Sequence, residues 1–449
     1  MQNSQKTQNS RRNFLRNLAT SAVVAPYILQ SCGLSGKTTG ENEKVNLGLI
    51  GMGTQMRGLM RNFIGRQDTK IVAVCDVDTT RRNAAKKTVD DFYKNSDCHA
   101  YDDFRKIINR KDIDVVVIAT PDHWHAIPML AALRAGKDVY CEKPLTHNIH
   151  EAVEVMKAVE ENKRVLQAGS MQRSSREFRI ACELVQNEVI GKISHVECSF
   201  GGPGIPCNLP EEPMEQGLDW DMWCGPAPMR PYSSVLSPRG VHNTFPNWRN
   251  YKEYGSGSVG DWGAHHLDIA QWGLGMDGSG PVEVIPPVDE NAKKGCKLVY
   301  ANGIYVEHKE GFGIHFFGSK GEVKVNRGKF VLIVDGKTIA EYTDVQQKEG
   351  KTRCETEVQK AEQAYLQNAE IKLYKSTNHI ADFMECVRSR KKPITNEIVG
   401  GHSAICCHLM NQSYYHHAHF TWDPAKKEFT GGTGDPKWLT RDYRTPWSV

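Results

Sequence analysis

Hydrophobic and polar positions fall into two textures, one on each side of about residue 170. In the first, short unbroken apolar runs alternate with stretches of helical period. Val45–Ile50, Lys70–Cys75, Asp114–Ala119, Asp138–Cys141 and Arg164–Ala168 are the kind of run that forms strands buried on both faces. Met56, Leu59, Met60 and Phe63 fall at i, i+3, i+4 and i+7, one face of a helix. Ala126 to Ala135 is a second helix, stopped by Gly136. Asn148 with Glu151 three residues later is a capping box, opening a helix with Ala152, Val155, Met156 and Val159 on one face. Strands alternating with helices predict an α/β fold with a doubly wound parallel sheet and a ligand at the strand C-terminal ends.

From Met171 the pattern changes. Residues 192–200 and 304–342 alternate with period two, with hairpin signals at Gly318-Ser319-Lys320-Gly321 and Asp335-Gly336-Lys337. Between them lies an aromatic, Gly/Pro-rich insertion, Gly201 to Gly257, too long to be an idle connection. It holds Trp220, Trp223, Tyr232, His242, Trp248, Arg249 and Tyr251. Aromatic faces beside Arg and Asn suit sugar rings, which present C–H faces and hydroxyl edges. Core packing is expected to claim part of this set, and Trp248, Arg249 and Tyr251 are the expected substrate contacts. Gln172 and Arg173, just past the last strand of the first texture, are expected to face the same cleft. Residues 345–370 are polar and helical in period, a solvated face. No internal repeat is visible.

The chain start is different again. Ser10-Arg11-Arg12-Asn13-Phe14-Leu15-Arg16 precedes an apolar run, Leu18 to Leu29, that ends in Leu29-Gln30-Ser31-Cys32. A basic segment, a run of about a dozen apolar residues and a small-residue junction mark a signal peptide, too short for a membrane span of about twenty. The paired arginines resemble a twin-arginine export signal, and Leu-Gln-Ser-Cys a bacterial lipobox. Residues 1–32 are therefore expected to be an address and Cys32 a lipid anchor, with 33–44 a polar tether and the protein periplasmic. The domains then span 45–170 and 171–449.

This location changes the meaning of the net charge of +4. Lys6, Arg11, Arg12 and Arg16 supply it, and residues 1–32 contain no acid, so the remainder is formally neutral. No basic face is left for nucleic acid, whose binding is dominated by phosphate neutralisation. Hydrophobic content of 39% and charged content of 24% exclude a disordered chain. Export invites disulfides among the 13 cysteines, but Cys75, Cys182, Cys386, Cys406 and Cys407 lie in apolar runs, where Cys is a small hydrophobe. No C-x-x-C occurs, so a zinc ribbon is excluded.

The first strand runs into Gly51-Met52-Gly53-Thr54-Gln55-Met56 and then a helix. Strand, Gly-x-Gly, helix is the order that a pyrophosphate cradle needs: the glycines admit the backbone to the phosphates, and the helix N-terminus offers free N–H groups. Asp76, at the end of the second strand, stands 25 residues after Gly51, near the distance at which an acid accepts both ribose hydroxyls of NAD. Its charge favours NAD over NADP, although Arg81 and Arg82 could soften the preference. Met56 stands where the third glycine of the pattern would be and is expected to hold helix and strand slightly apart. Gly51, Gly53, Thr54, Gln55, Met56 and Asp76 are thus the expected first half of a Rossmann cofactor site.

Chemistry-grade residues follow two later strands, as Ala119-Thr120-Pro121-Asp122-His123-Trp124-His125 and Glu142-Lys143-Pro144. Far downstream comes Asp261-Trp262-Gly263-Ala264-His265-His266-Leu267-Asp268. In order and spacing, Gly-x-Gly, Ala-Thr-Pro, Glu-Lys-Pro and Asp-x-x-x-His-x-x-Asp resemble the glucose–fructose oxidoreductase / inositol dehydrogenase / MocA family. The likeness continues through Asp382-Phe383, Gly401-His402-Ser403, Trp422-Asp423-Pro424 and Tyr443-Arg444, and covers nearly all of 45–449. It implies a C-terminal α+β domain with a large, open, mostly antiparallel sheet, a homodimer or homotetramer, and a cis peptide before Pro144. It also implies hydride transfer between NAD and a secondary hydroxyl of a sugar, glycoside or polyol.

Under that resemblance His265 is the proton acceptor, an imidazole suited to exchanging a proton near neutrality. Lys143 would hold the substrate oxygen and lower its pKa. Asp261, four residues before His265, would share its helical face and bind a sugar hydroxyl or orient the imidazole. Thr120, Pro121, His125, Glu142 and Lys143, which would face the nicotinamide, are expected at the cofactor, and His266 beside His265 at the substrate. His123-Trp124-His125 could suggest metal, but no matching Cys or carboxylate set accompanies it; Tyr414-Tyr415-His416-His417-Ala418-His419 looks like another metal box, but the resemblance implies an ordinary packed helix there, so no metal is expected. Free NAD is scarce outside the cytoplasm, so the cofactor is expected to be exported with the folded protein and retained. Redox-neutral glycoside cleavage, lyase or epimerase chemistry is the alternative, and a non-catalytic sugar-binding lipoprotein a further one.

Overall fold

A computed structural model describes residues 44–343 and 350–449, without the side chains of 350–352. The signal-type segment, Cys32 and the tether up to residue 43 lie outside the described residues. The first texture folds as β1 (Val45–Ile50), β2 (Thr69–Cys75), β3 (His99–Tyr101), β4 (Val115–Ile118), β5 (Asp138–Cys141) and β6 (Leu166–Ala168). Their order in the sheet is β3-β2-β1-β4-β5-β6, and every pairing is parallel. Helices α1 (Thr54–Ile64), α2 (Thr79–Tyr93), α3 (Phe104–Ile108), α4 (Ala126–Arg134) and α5 (Ile149–Asn162) connect the strands. The capping box forms in part as expected: Asn148 Oδ1 accepts from Glu151 N at 2.9 Å. The Glu151 carboxylate instead accepts from His147 N, Tyr443 and Arg441.

Two elements of this domain escape the hydrophobic pattern. Helix α2 buries only Arg81, Ala85 and Val89, so its period is masked by charge; Asp78 caps it by accepting from Arg81 N at 2.7 Å. Strand β3 is three residues on the sheet edge, too short to make a run.

The second domain is built on ten strands. β7 (Ile193–Cys198) lies centrally, followed in sequence by β8 (Glu283–Ile285), β9 (Lys297–Val299), β10 (Tyr305–His308) and β11 (Ile314–Gly318). β12 (Gly321–Asn326), β13 (Lys329–Val334) and β14 (Lys337–Tyr342) form successive hairpins; β15 (Phe420–Asp423) and β16 (Glu428–Thr430) complete the far edge. All its pairings are antiparallel except β7 with β10. Both hairpin signals are real turns, joining β11 to β12 and β13 to β14. Helices α6 (Arg176–Gln186), α7 (Trp220–Cys224), α8 (Gly257–Asp261), α9 (Gly263–Gly273), α10 (Gly350–Tyr365), α11 (His379–Ser389) and α12 (Glu397–His416) accompany it. α10 is less solvated than its sequence suggests, because Cys354, Val358 and Ala361 are buried in the core of the second domain.

The core of the first domain also draws on chain beyond residue 170. Ile380, Phe383, Met384, Cys386 and Val387 of α11 pack into the same core as β1, α1 and β4. The chain end closes over the first domain too: Tyr443 donates to the fully buried Glu151 at 2.8 Å, and Arg441 bonds Glu151 and the carbonyl of His123. The twelve described cysteines are free thiols, all but Cys207 of them buried. Burial of Cys75, Cys182, Cys386, Cys406 and Cys407 matches their reading as small hydrophobes.

Candidate active site

Gly51 turns the chain out of β1 with φ +86°, and a Cβ there would sit 2.8 Å from Thr120 N. The two loops approach that closely because neither has a side chain between them. A Cβ on Gly53 would meet nothing within 4 Å, so this glycine keeps a cradle open at the start of α1. No side chain caps α1 and no acid lies in its first turn, which leaves its leading N–H groups for an anion. The Thr120 hydroxyl is buried at the same place with no partner among the described residues. An open glycine cradle, uncapped N–H groups and an orphaned hydroxyl fit a dinucleotide pyrophosphate.

Asp76 closes this groove. Its carboxylate accepts from Met52 N at 2.6 Å and Asp78 N at 2.8 Å, which fixes it against the glycine loop. Gly51, Gly53, Thr54, Gln55, Asp76, Thr120 and Pro121 all line the groove. Met56 does not; it is fully buried in the core, where it occupies the space between α1 and the sheet.

The insertion between β7 and α8 lies over the groove as a strap. Thr54 donates to the carbonyls of Thr244 (2.8 Å) and His242 (3.2 Å). Arg81 reaches Ser237 Oγ at 3.2 Å, Gly240 O at 3.1 Å and the carbonyl of Pro238. Trp124 donates to Met222 O at 3.0 Å, and His123 contacts Trp223 O at 2.9 Å. Trp220, Trp223, Tyr232, Tyr254 and Trp248 pack into a small core of the strap's own. Tyr251 joins this core, lines neither cavity, and so is not placed at the substrate.

Past Gln55 and Thr120 the groove adjoins a cleft of about 970 Å³. Gln55, Thr120, Trp248 and Arg249 line both. Glu142, at the end of β5, accepts from Gln55 at 2.8 Å; burial raises its pKa against the pull of Lys143. Lys143 points into the cleft through a cis Lys143–Pro144 peptide, and its ammonium donates to the carbonyl and the carboxylate of Asp261. Arg249 stacks on Trp248 at 4.2 Å and stands 3.7 Å from the same carboxylate. Burial would raise Asp261, but Lys143 and Arg249 override it and hold the carboxyl below its usual range.

Asp122, which also lines the cleft, goes the opposite way. Burial pushes it up to about 8, and Lys143 and Arg249 do not reverse that. Two carboxyl groups of one cleft are thus shifted in opposite directions, one by burial and one by its cations. Asp122 belongs to the motif that signalled the loop, but its burial, the property that matters, is not written in the sequence.

His265 lines the cleft with Gln172, whose amide donates to His265 O (3.1 Å) and accepts from Arg327 Nε (3.2 Å) when oriented to satisfy both. Burial lowers the imidazole pKa well below its ordinary value, and the charges of Lys143 and Arg327 add to that. Its Nδ1 has no partner among the described residues. Asp261 therefore does not orient the ring. Helices α8 and α9 meet at Trp262, Asp261 and His265 line the same cleft, and Asp261 is committed to Lys143.

Two expected contacts lie elsewhere, and a third stands at the cleft with both ring nitrogens occupied. One residue along a helix turns the side chain about 100°, and His266 accordingly faces Ser199 O at 2.8 Å, away from the cleft. Arg173 is 1% exposed, ion-paired to Asp268 at 2.9 Å and Asp277 at 2.7 Å, and stacked on Trp272. It is an internal strut. His125 is at the cleft wall, but both ring nitrogens are taken, by Pro144 O at 2.7 Å and Thr120 O at 3.0 Å. No group of three or more His, Cys, Asp or Glu among the described residues could hold a metal. Trp262, Arg327, Glu177 and Tyr342 also line the cleft and were missed. They come from four separate segments, and no spacing could have linked them.

A parallel sheet with a glycine groove, feeding a cleft walled by a second mixed sheet, is the architecture of a dinucleotide-dependent oxidoreductase. The chain belongs to the Gfo/Idh/MocA oxidoreductase family: residues 45–170 match its NAD-binding Rossmann fold and residues 189–449 its C-terminal alpha/beta domain. It is 29% identical over 212 residues to a glycosyl hydrolase family 109 protein of Shewanella sp. strain ANA-3, covering 42% of this chain and 45% of that one. It is 34% identical over 149 residues to inositol 2-dehydrogenase of Salmonella typhimurium strain LT2, covering 33% and 42%. The matched stretches thus span less than half of these curated relatives. The fold is similar to aldose-aldose oxidoreductase from Caulobacter crescentus, with TM-score 0.55 and 17% identity over 84% of this chain and all of that one.

Proposed function

We propose that this protein is an NAD-dependent oxidoreductase acting on a secondary hydroxyl of a sugar, glycoside or polyol, with a resident cofactor. One observation carries it. Lys143 from the Rossmann domain and Asp261 and His265 from the second domain line one cleft, where the glycine groove ends. A bound nicotinamide dinucleotide would supply the hydride acceptor; Gly51, Gly53, Thr54 and Thr120 would hold its pyrophosphate and Asp76 its ribose. Lys143 would hold the hydroxyl oxygen and stabilise it as its proton leaves. His265, neutral at physiological pH, would receive that proton, and the neighbouring cations would speed its onward release.

Preference for NAD is supported by the commitment of both candidate 2′-phosphate ligands. Arg81 is spent on the strap, and Arg82 donates to Asp76 O at 2.7 Å and Thr79 Oγ1 at 3.2 Å. Retention is supported by the strap over the groove. It suits an exported, lipid-anchored enzyme that must carry its cofactor, as the signal-type segment suggests. The strap also favours a redox-neutral variant, in which transient oxidation permits glycoside cleavage and the cofactor is restored within each cycle. That variant is in line with the likeness to a glycosyl hydrolase family 109 protein.

Denaturing the purified protein should release stoichiometric NAD, and sugars added to the native protein should raise absorbance at the reduced-nicotinamide band. An empty protein that shows no such change with any sugar or glycoside, even with NAD supplied, defeats the proposal. Aglycone release without added NAD would select the redox-neutral variant.

A further inference from the structure

Past His265 the cleft continues into the second domain. Trp262 is 42% exposed there, although the guanidinium of Arg327 caps its ring at 4.7 Å. Arg327 comes from the turn between β12 and β13 and makes no ion pair among the described residues. Tyr342, at the end of β14, is 6% exposed, and its buried hydroxyl has no partner among the described residues. Glu177 of α6 lines the same end. None of these groups reaches Lys143 or is used in holding the reacting hydroxyl.

An exposed indole is costly in water, and an orphaned buried hydroxyl more so. Both costs fall away when a ring with a C–H face and hydroxyl edges lies against them. The indole offers the face; Arg327, Glu177 and Tyr342 offer donors and acceptors around it. The Trp262 ring centre lies 6.1 Å from that of His265, about the step between two joined sugar rings. A monosaccharide held at Lys143 and His265 would leave this end of the cleft bare.

We propose that Trp262, Arg327, Tyr342 and Glu177 form a second-ring subsite, so that the preferred substrate is a glycoside or disaccharide whose reacting ring carries another ring. This rests on the oxidoreductase reading above and names its substrate class. The alternative occupant of Trp262, a second copy of the chain, is one outcome of the test.

With holoenzyme as purified, kcat/KM would be compared for D-glucose and 4-nitrophenyl β-D-glucopyranoside, and for the corresponding galactose pair. The glycoside is expected to lead by at least about tenfold in one pair, the scale of one well-filled pocket. Trp262→Ala should reduce that ratio to near unity, Arg327→Ala should lower it partly, and Trp262→Phe should keep most of it. A ratio that favours the monosaccharides, or one unmoved by Trp262→Ala, overturns the subsite. So does a Trp262→Ala protein that changes sedimentation but not the ratio, which would assign the indole to a subunit contact. If no sugar is turned over, the oxidoreductase reading fails separately. Calorimetric titration with 4-nitrophenyl β-D-thioglucopyranoside then decides the subsite: binding lost in Trp262→Ala sustains it, and no binding to the unaltered protein removes it.

Discussion

The cofactor groove and the substrate cleft adjoin, yet they are built on different plans. In the groove the side chains are tied down: Asp76 holds two backbone N–H groups, and Thr54 and Arg81 are tied to strap carbonyls, which leaves the leading N–H groups of α1 and the Thr120 hydroxyl for a ligand. In the cleft, His265 Nδ1 and the Tyr342 hydroxyl have no partner among the described residues, and Trp262 is 42% exposed. A groove made of backbone and mutual hydrogen bonds suits one invariant ligand. A cleft of unsatisfied side chains is completed only by its substrate, which is how one fold serves many sugars.

The sharpest way to break this contrast is to remove the lysine at the cleft. Lys143→Met is expected to cut turnover roughly 10³-fold while bound nucleotide stays unchanged. Loss of nucleotide along with activity would show that Lys143 belongs to the groove. Stability is the next test. Arg173→Met leaves Asp268 buried without its cation and should cost about 3–5 kcal/mol, read by denaturant unfolding, with KM unaltered in the surviving fold. A changed KM with normal stability would return Arg173 to the cleft.

A smaller effect is expected from the strap. Arg81→Ala removes its anchor and should speed nucleotide release about tenfold on repeated gel filtration, with little change in initial turnover. The smallest effect concerns pH. Asp122 binds its proton in the folded state up to about pH 8 but releases it in the unfolded chain near the ordinary carboxylate value. Stability from this group is therefore complete at low pH and declines as pH rises towards 8. Asp122→Asn should flatten that decline, so the melting temperature falls by a few degrees less than in the parent between pH 5 and 9.

Much of the fold was legible because burial on both faces leaves a continuous apolar run. β1, β2, β4, β5 and β6 could be placed within two residues for that reason. The glycine cradle was legible because it is local, and Lys143, Asp261 and His265 because their motifs stood in family order. The rest depended on side-chain direction. Nothing adjacent in sequence distinguishes His265 from His266, or the buried Arg173 from a cleft arginine; a helical turn and two distant aspartates decide them. α11 completing the core of the first domain is likewise a contact between segments more than 200 residues apart.

The amino-acid sequence by itself determined the alternation of elements, the cradle and the set of groups capable of proton transfer, because these follow from residue type and near-neighbour spacing. Only the tertiary structure decided which of those groups face one cavity, which carboxyl keeps its proton and what covers the groove. Those properties arise from burial and from charges brought together across domains, and neither exists until the chain has folded.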